Sequence, residues 1–442
     1  MRIRLSEHFT YKKLIRFVLP TVFMMIVTSV YGIVDGFFVS NCVGKNAFAA
    51  VNLIMPVLMA LGAFGFMIGT GGSALVAKIL GEGDAKKANQ YFSMLIYVTA
   101  IFSLVVTVIG LIFMPNIAKA LGADDLIIND CVLYGRILIT AVGFFMLQNS
   151  FQSFLVTAGK SNFGLVISVI AGLSNMVLDF LLIYLLDLGV AGAAAASAFS
   201  QVVGAVIPLI YFARKNSSLL RLVKTKIQLK PIGAACVNGS SEMLTNLSTS
   251  LVSMIYNFQL MKIAAENGVS AYGVVMYVSF IFTAFFFGYS IGINPIVGYN
   301  FGAKNTNELK NVLKKSLVLT TVVSLAMTAS AVSLSGAIAK IFVGYDAELC
   351  DLTSNALKIY SLSFLVCGFN IFSSAFFTGL NNGKISALIS FLRTLVFQIA
   401  AVLVLPVFIG INGIWLAITV AEILTLIVTI VCLAANKRKY NY

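Results

Sequence analysis

The chain is 442 residues long, with 60% apolar and only 10% charged residues, against about 45–50% and about 25% in soluble domains. Together with a mean hydropathy of +0.98, this excludes a soluble globular enzyme, a disordered chain and a secreted disulfide scaffold. The net charge of +14 would suggest nucleic acid in a soluble protein; here it is weighed first against membrane topology.

A membrane helix needs about 20 mostly apolar residues. The basic start MRIRLSEHFTYKKLIRF runs into such a stretch with no prompt small-residue cleavage site, so it reads as a first transmembrane helix, 17–39, and not as a cleaved signal. That helix carries Pro20, a hinge candidate, and Asp35. The second, 51–77, holds Met55 in MPVLM, a candidate for an adaptable cavity wall, and Gly62, Gly65, Gly69, Gly71 and Gly72, which allow close helix contact or bending. Spans 91–114 and 132–157 follow; 163–186 carries Asn175 and Asp179, and 189–213 carries Ser197. After a basic loop, 232–260 holds Glu242 in GSSEMLTN, and 271–298 holds the aromatic run FIFTAFFFGYS with Phe286, a cavity-wall candidate. Spans 316–343 and 355–380 lead to 385–408 with Arg393 and 411–434 with Glu422. These runs are long and continuously apolar, whereas barrel strands alternate over about 10 residues. The fold class expected is therefore all-α integral membrane, with twelve transmembrane helices.

With a cytoplasmic N-terminus, 23 of the 30 Lys and Arg fall on the inner side, which fits an even number of helices and both termini inside. The positive charge is then topology, and no nucleic-acid partner is expected. The chain also repeats: Gly81 and Gly302, Thr157 and Thr378, and the pairs Gly189–Gly192 and Gly410–Gly413 are each 221 residues apart. Two six-helix bundles of like orientation follow, an N-lobe over 1–218 and a C-lobe over 232–442, joined by a cytoplasmic linker at 219–231.

Other chemistries lack their residues. The only histidine is His8, the six cysteines form no CxxC pair, and no GxxxxGK[ST] pattern is present. An enzyme is not expected. What stands out is Asp35, Asp179, Glu242, Glu422 and Arg393 inside apolar spans, where each is costly unless paired or hydrated. Asp35 and Asp179 fall at matching depth, and Asn175 lies four residues before Asp179 on the same helix face. Ser197 sits about a turn deeper. Two carboxylates, an amide and a hydroxyl suit a small hard cation or a shared proton; helix-to-helix hydrogen bonding is the plainer alternative. Glu242 either receives a cationic substrate or is hydrated near the mouth. Arg393 and Glu422 form either a buried structural ion pair or a second coupling site.

An Asp 15 residues after Pro20, NxxxD in the fifth helix, GVAGAA opening the sixth, GGSALVAKILGEGDAKKAN after the second and GYNFGAKN after the eighth resemble the MATE multidrug and toxin extrusion transporters, in particular their bacterial MepA-like and DinF-like branch. The resemblance implies a cytoplasmic-membrane antiporter, monomeric and without cofactor, exporting organic cations in exchange for Na⁺ or H⁺ by alternating access. It places the cation site on Asp35, Asn175, Asp179 and Ser197, with the backbone of Ala193 as a further ligand; if Na⁺ couples, Asp35, Asn175 and Asp179 hold it. Ser197 stands where the family usually has Thr, and Phe180 where it often has Pro. The C-lobe acidic pair of another branch has no counterpart, because Glu242 falls at a different depth and the tenth span has no acid. A lipid-linked oligosaccharide flippase is the alternative, disfavoured because Arg393 is the only base inside the spans; an integral-membrane enzyme is the alternative of another class.

Overall fold

The computed structural model describes residues 4–442. Six helices make the first half: α1 Tyr11–Phe38, α2 Lys45–Gly81, α3 Ala85–Ala120, α4 Ile128–Thr157, α5 Ser161–Leu185 and α6 Gly189–Ala213. The second half begins with one continuous element, Leu229–Gly302. At 1.5 Å per residue it would span about 110 Å, several times the roughly 30 Å of a hydrocarbon core. It turns back instead at Ala265 (φ 49°, ψ −142°), and the rings of Tyr256 and Tyr272 stack across the turn at 5.1 Å. Two antiparallel helices result, α7 at 229–264 and α8 at 266–302. Then come α9 Thr306–Val343, α10 Ala347–Gly379, α11 Gly383–Ile409 and α12 Ile411–Tyr440. Among the described residues there are twelve long helices and no strand, as expected.

The helices outrun the predicted spans because their polar ends stay helical beyond the apolar stretch. Side-chain caps fix several starts: Asp84 accepts from the Lys87 amide at 2.9 Å, Asn305 from Glu308 at 3.2 Å and Asp346 from Leu349 at 3.1 Å. Asp84 and Asn305 are themselves 221 residues apart. The repeat recurs in the backbone as well: Gly189 (φ 55°) and Gly410 (φ 58°) each turn the chain into the last helix of their half.

Leu104, Val108 and Ile112 on α3 are each more than half exposed. They recur every four residues, so one face of α3 is an apolar stripe that only lipid can cover. The linker after α6 is docked on α3: Arg221 N–H donates to Asn89 Oδ1 at 2.6 Å and Val223 N–H to Ser93 Oγ at 2.8 Å, with Leu220 fully buried.

The halves meet at one end only, the end that carries both termini. There Asn381 Nδ2 of the second half donates to the Ala74 carbonyl of α2 at 3.4 Å. Four of the five glycines noted in α2 serve the first half itself: Gly62, Gly65 and Gly69 sit against Phe145, Met146 and Asn149 of α4, and Gly72 against Leu95 of α3. Gly71 faces the second half, where a Cβ would overlap the Ala235 carbonyl; Gly239 meets the Met67 carbonyl, Gly81 that of Tyr299 and Gly302 that of Lys78. Asn294 donates to the Thr70 carbonyl at 3.0 Å and Asn238 to that of Gly71 at 3.3 Å. Among the described residues the hydrogen bonds between the halves all lie at this end. The molecule is thus sealed at the terminal end, and its halves part toward the other.

Candidate functional site

The first half brings its two acids together. Asp35, late in α1, is 8% exposed, and Asp179, at the end of the regular part of α5, is fully buried. Ser197 Oγ on α6 donates to Asp35 Oδ1 at 3.4 Å. Asp179 and Asn175 face the same Asp35 carboxyl. Both Asp179 oxygens and Asn175 Oδ1 are buried without a donor. Carboxylate and amide oxygens buried without a donor are costly in low dielectric. A proton on one carboxyl would supply the missing donor, and a small cation would satisfy several oxygens at once.

Both acids adjoin a local widening of their helix. The π-turn Val39–Val43 follows Asp35 by one turn, and the π-turn Phe180–Leu185 begins directly after Asp179. A third, Leu392–Val396, contains Arg393. Such bulges concentrate at functional positions because they re-aim side chains and free carbonyls.

Asp35, Asn175 and Ser197 line a cavity of about 210 Å³, together with Met55, Gln148 and Gln201. Water occupies about 30 Å³ in the liquid, and drug-sized ligands take about 300–1,000 Å³. The cavity therefore has room for ions and several waters, not for a large amphipathic molecule. Ala193 is buried among Val39, Ile183 and Val190, one turn before Ser197. Met55 lies on the wall of this small cavity. Phe286 does not: it is 3% exposed in the core of the second half, its ring against Gly368. A run of three phenylalanines gives no periodic sign of which one faces inward. Pro20 lies inside α1, which continues through it. Tyr31, Gln148 and Gln201 complete the wall and were missed, since single polar residues in apolar runs carry no spacing signal.

In the second half Arg393 Nε donates to Glu422 Oε1 at 2.7 Å, with Glu422 buried and Arg393 mostly so. Asn370 of α10 donates to Glu422 Oε2 at 2.8 Å and accepts from Thr429 at 2.9 Å. The tenth helix thus contributes an amide where an acid was sought. Glu242 faces Arg393 across this cluster. Truncating one member of a buried pair strands the other at a cost of about 3–5 kcal/mol, whereas replacing both by apolar groups can be neutral. Glu422→Met is therefore expected to lower thermal stability sharply in detergent, and the Arg393→Met/Glu422→Met double variant to recover most of it.

The MatE family model matches residues 20–181 and again 243–404, once in each half. "Multidrug export protein MepA" of Staphylococcus haemolyticus is 26% identical over 94% of this chain and 92% of its own length. The protein of that name from Staphylococcus aureus is 23% identical over 93% and 91%. Among solved structures, "Crystal structure of MATE in complex with MaL6" superposes with a TM-score of 0.92 at 22% identity, covering 98% of both chains. "Outward-facing conformation of a multidrug resistance MATE family transporter of the MOP superfamily" gives 0.92 at 22% identity, over 98% of this chain and 97% of that one. At this identity the structures establish the fold. The family match, repeated in register with the two halves, establishes membership: the chain belongs to the MatE family of multi-pass membrane transporters.

Proposed function

We propose that this transporter is a multidrug efflux antiporter whose coupling ion, H⁺ or Na⁺, binds at Asp35 and Asp179 and whose amphipathic organic cations bind between the halves. The observation that carries the reading is the donor-free group of Asp179 and Asn175 oxygens beside Asp35. A proton or Na⁺ there removes the electrostatic cost, and binding of that ion from the outside with its release to the cell interior links the gradient to lobe movement. The ion needs only to bind one state better than the other. Asp35 and Asp179 act as the ion's carboxylate partners, Asn175 and Ser197 as neutral oxygens that complete its shell, and the neighbouring Ala193 packs the site closed.

The cation surplus at the terminal end supports a cytoplasmic position for that end. The seal at this end then makes the present state outward-facing, ready to release substrate to the outside. Glu242, near Arg393 and partly accessible, serves as the acidic contact for a substrate cation in the second half. The flippase reading weakens further, because Arg393, the base it would need for pyrophosphate, is engaged by Glu422.

The test is purified protein in liposomes loaded with ethidium, with Na⁺ and proton gradients imposed separately. Dye movement driven by one gradient and not by an equal osmotic control supports the reading. Dye movement unaffected by either gradient refutes it.

A further inference from the structure

The first helix is divided between the halves. Its later part belongs to the N-lobe: Tyr31 packs on Gly172 of α5, Asp35 meets Ser197, and Val39 joins that lobe's core. Its first part lies in the core of the other half. Leu14, Phe17, Val18 and Val22 pack with Ile293, Ile296 and Val297 of α8 and with Leu309 and Val312 of α9. Gly288 and Gly292 of α8 bear directly on Val22, Thr21 and Val18, with no space for a side chain.

The segment before α1 extends this attachment. Glu308, at the start of α9 and 5% exposed, accepts from the Phe9 amide at 2.9 Å and from Asn311 Nδ2 at 2.7 Å, and its other oxygen lies 2.7 Å from His8 Nδ1. The Phe9 carbonyl accepts from Lys315 Nζ at 2.7 Å and Asn311 Nδ2 at 3.0 Å. Phe9 is fully buried and Leu5 nearly so. A buried carboxylate with a backbone amide, an amide side chain and an imidazole around it is satisfied in this geometry, and undocking would expose two large apolar side chains.

We propose that residues 4–10 are a standing anchor that keeps the first part of α1 on the C-lobe throughout the transport cycle, with Glu308 as its positioning residue. Helix α1 is then the mechanical link between lobes: its start moves with α8 and α9, and its end carries Asp35 into the ion site. Pro20, whose missing amide leaves the Arg16 carbonyl without its helical partner, lies within the first attachment, near its end. The inference rests on the coupling role proposed for Asp35, and it concerns how that site communicates with the seal.

The test uses the full chain, with its native cysteines replaced, reconstituted in liposomes. Tyr11 lies beside Lys315 (5.5 Å from ring centre to Nζ), so Tyr11→Cys and Lys315→Cys can be joined by a short cleavable bis-thiol linker that leaves Glu308 intact. The anchor predicts that linking leaves the efflux rate of the double-cysteine protein itself unchanged to within about twofold, since these parts do not separate. Arrest of efflux on linking, with recovery on cleavage, would overturn it by showing that the segment must release. The anchor also predicts that Glu308→Ala slows gradient-driven efflux at least tenfold while equilibrium binding of ethidium is retained, and that Glu308→Gln, which keeps an acceptor oxygen, falls between. An unchanged rate in Glu308→Ala overturns the proposal; if that protein fails to insert, Asn311→Ala serves in its place under the same criterion. Spin-label distances between α1 and α9 at the terminal end, measured in both lobe states, read the anchor without transport. They would hold constant even if the wild type showed no ion-driven efflux, the result that defeats the antiporter reading instead.

Discussion

Asp35→Asn is expected to abolish gradient-driven efflux, by at least about tenfold, while the protein still inserts and folds. The substitution preserves shape and hydrogen-bonding capacity but removes the charge. The Asn amide supplies the donor that Asp179 lacks, so the cluster is satisfied permanently and has no further use for a proton or a cation. A site with equal preference for loaded and unloaded states shifts no equilibrium, however well formed it is. Stability should therefore rise or hold while coupling disappears. Efflux of ethidium from cells, with membrane content and thermal stability measured alongside, checks both parts. A variant that is inactive because it is unfolded would lose both, and one that transports normally would remove Asp35 from the site.

Gly239→Val is expected to be comparably severe for a different reason. Gly239 on α7 approaches the Met67 carbonyl on α2 so closely that even a Cβ does not fit, and Gly71 opposes the same stretch of α7. An isopropyl group there holds the halves apart at the terminal end. Overpacking a tight contact costs about 1–3 kcal/mol, and about 1.4 kcal/mol is a tenfold change in a population ratio. Because the contact lies between lobes, the cost falls on the sealed state and not on either bundle. Spin-label distances across the terminal end should lengthen and efflux should fall about tenfold or more. Gly233→Val on the same helix, where a Cβ meets nothing, is the control and should transport as the wild type.

Much of this arrangement was legible in the residues. Lipid allows only long apolar helices, so twelve runs of adequate length predicted twelve helices, and even the two that merge into one 74-residue element part within the predicted gap, at Ala265. The 221-residue offsets were legible because a duplicated bundle repeats its turns, as Gly189 and Gly410 do in the backbone. Asp35 and Asp179 stood out because charge inside an apolar span has no cheap structural excuse, and the structure brings them together.

What was not legible has physical causes too. The π-turns after Asp35 and Asp179 leave no compositional trace. Asn370 is one amide in an apolar run, and only the three-dimensional packing of α10 on α12 shows that it grips Glu422. Phe286 was indistinguishable in sequence from its phenylalanine neighbours. Glu308 carries no signal in the sequence, because its partners His8 and Phe9 lie about 300 residues away, beyond any local pattern. The same holds for α2, whose glycines turned out to serve two different interfaces, one within the N-lobe and one across the seal.

The central claim is that Asp35 and Asp179 hold the ion that substrate binding displaces. Its most direct measurement is ion release from detergent-solubilised protein on addition of ethidium, followed as protons in weakly buffered solution and as Na⁺ with a sodium-selective probe. The account predicts that the wild type releases one of these ions on binding and that Asp35→Asn and Asp179→Asn bind the dye without releasing it. Equal ion release from the wild type and both variants would contradict it.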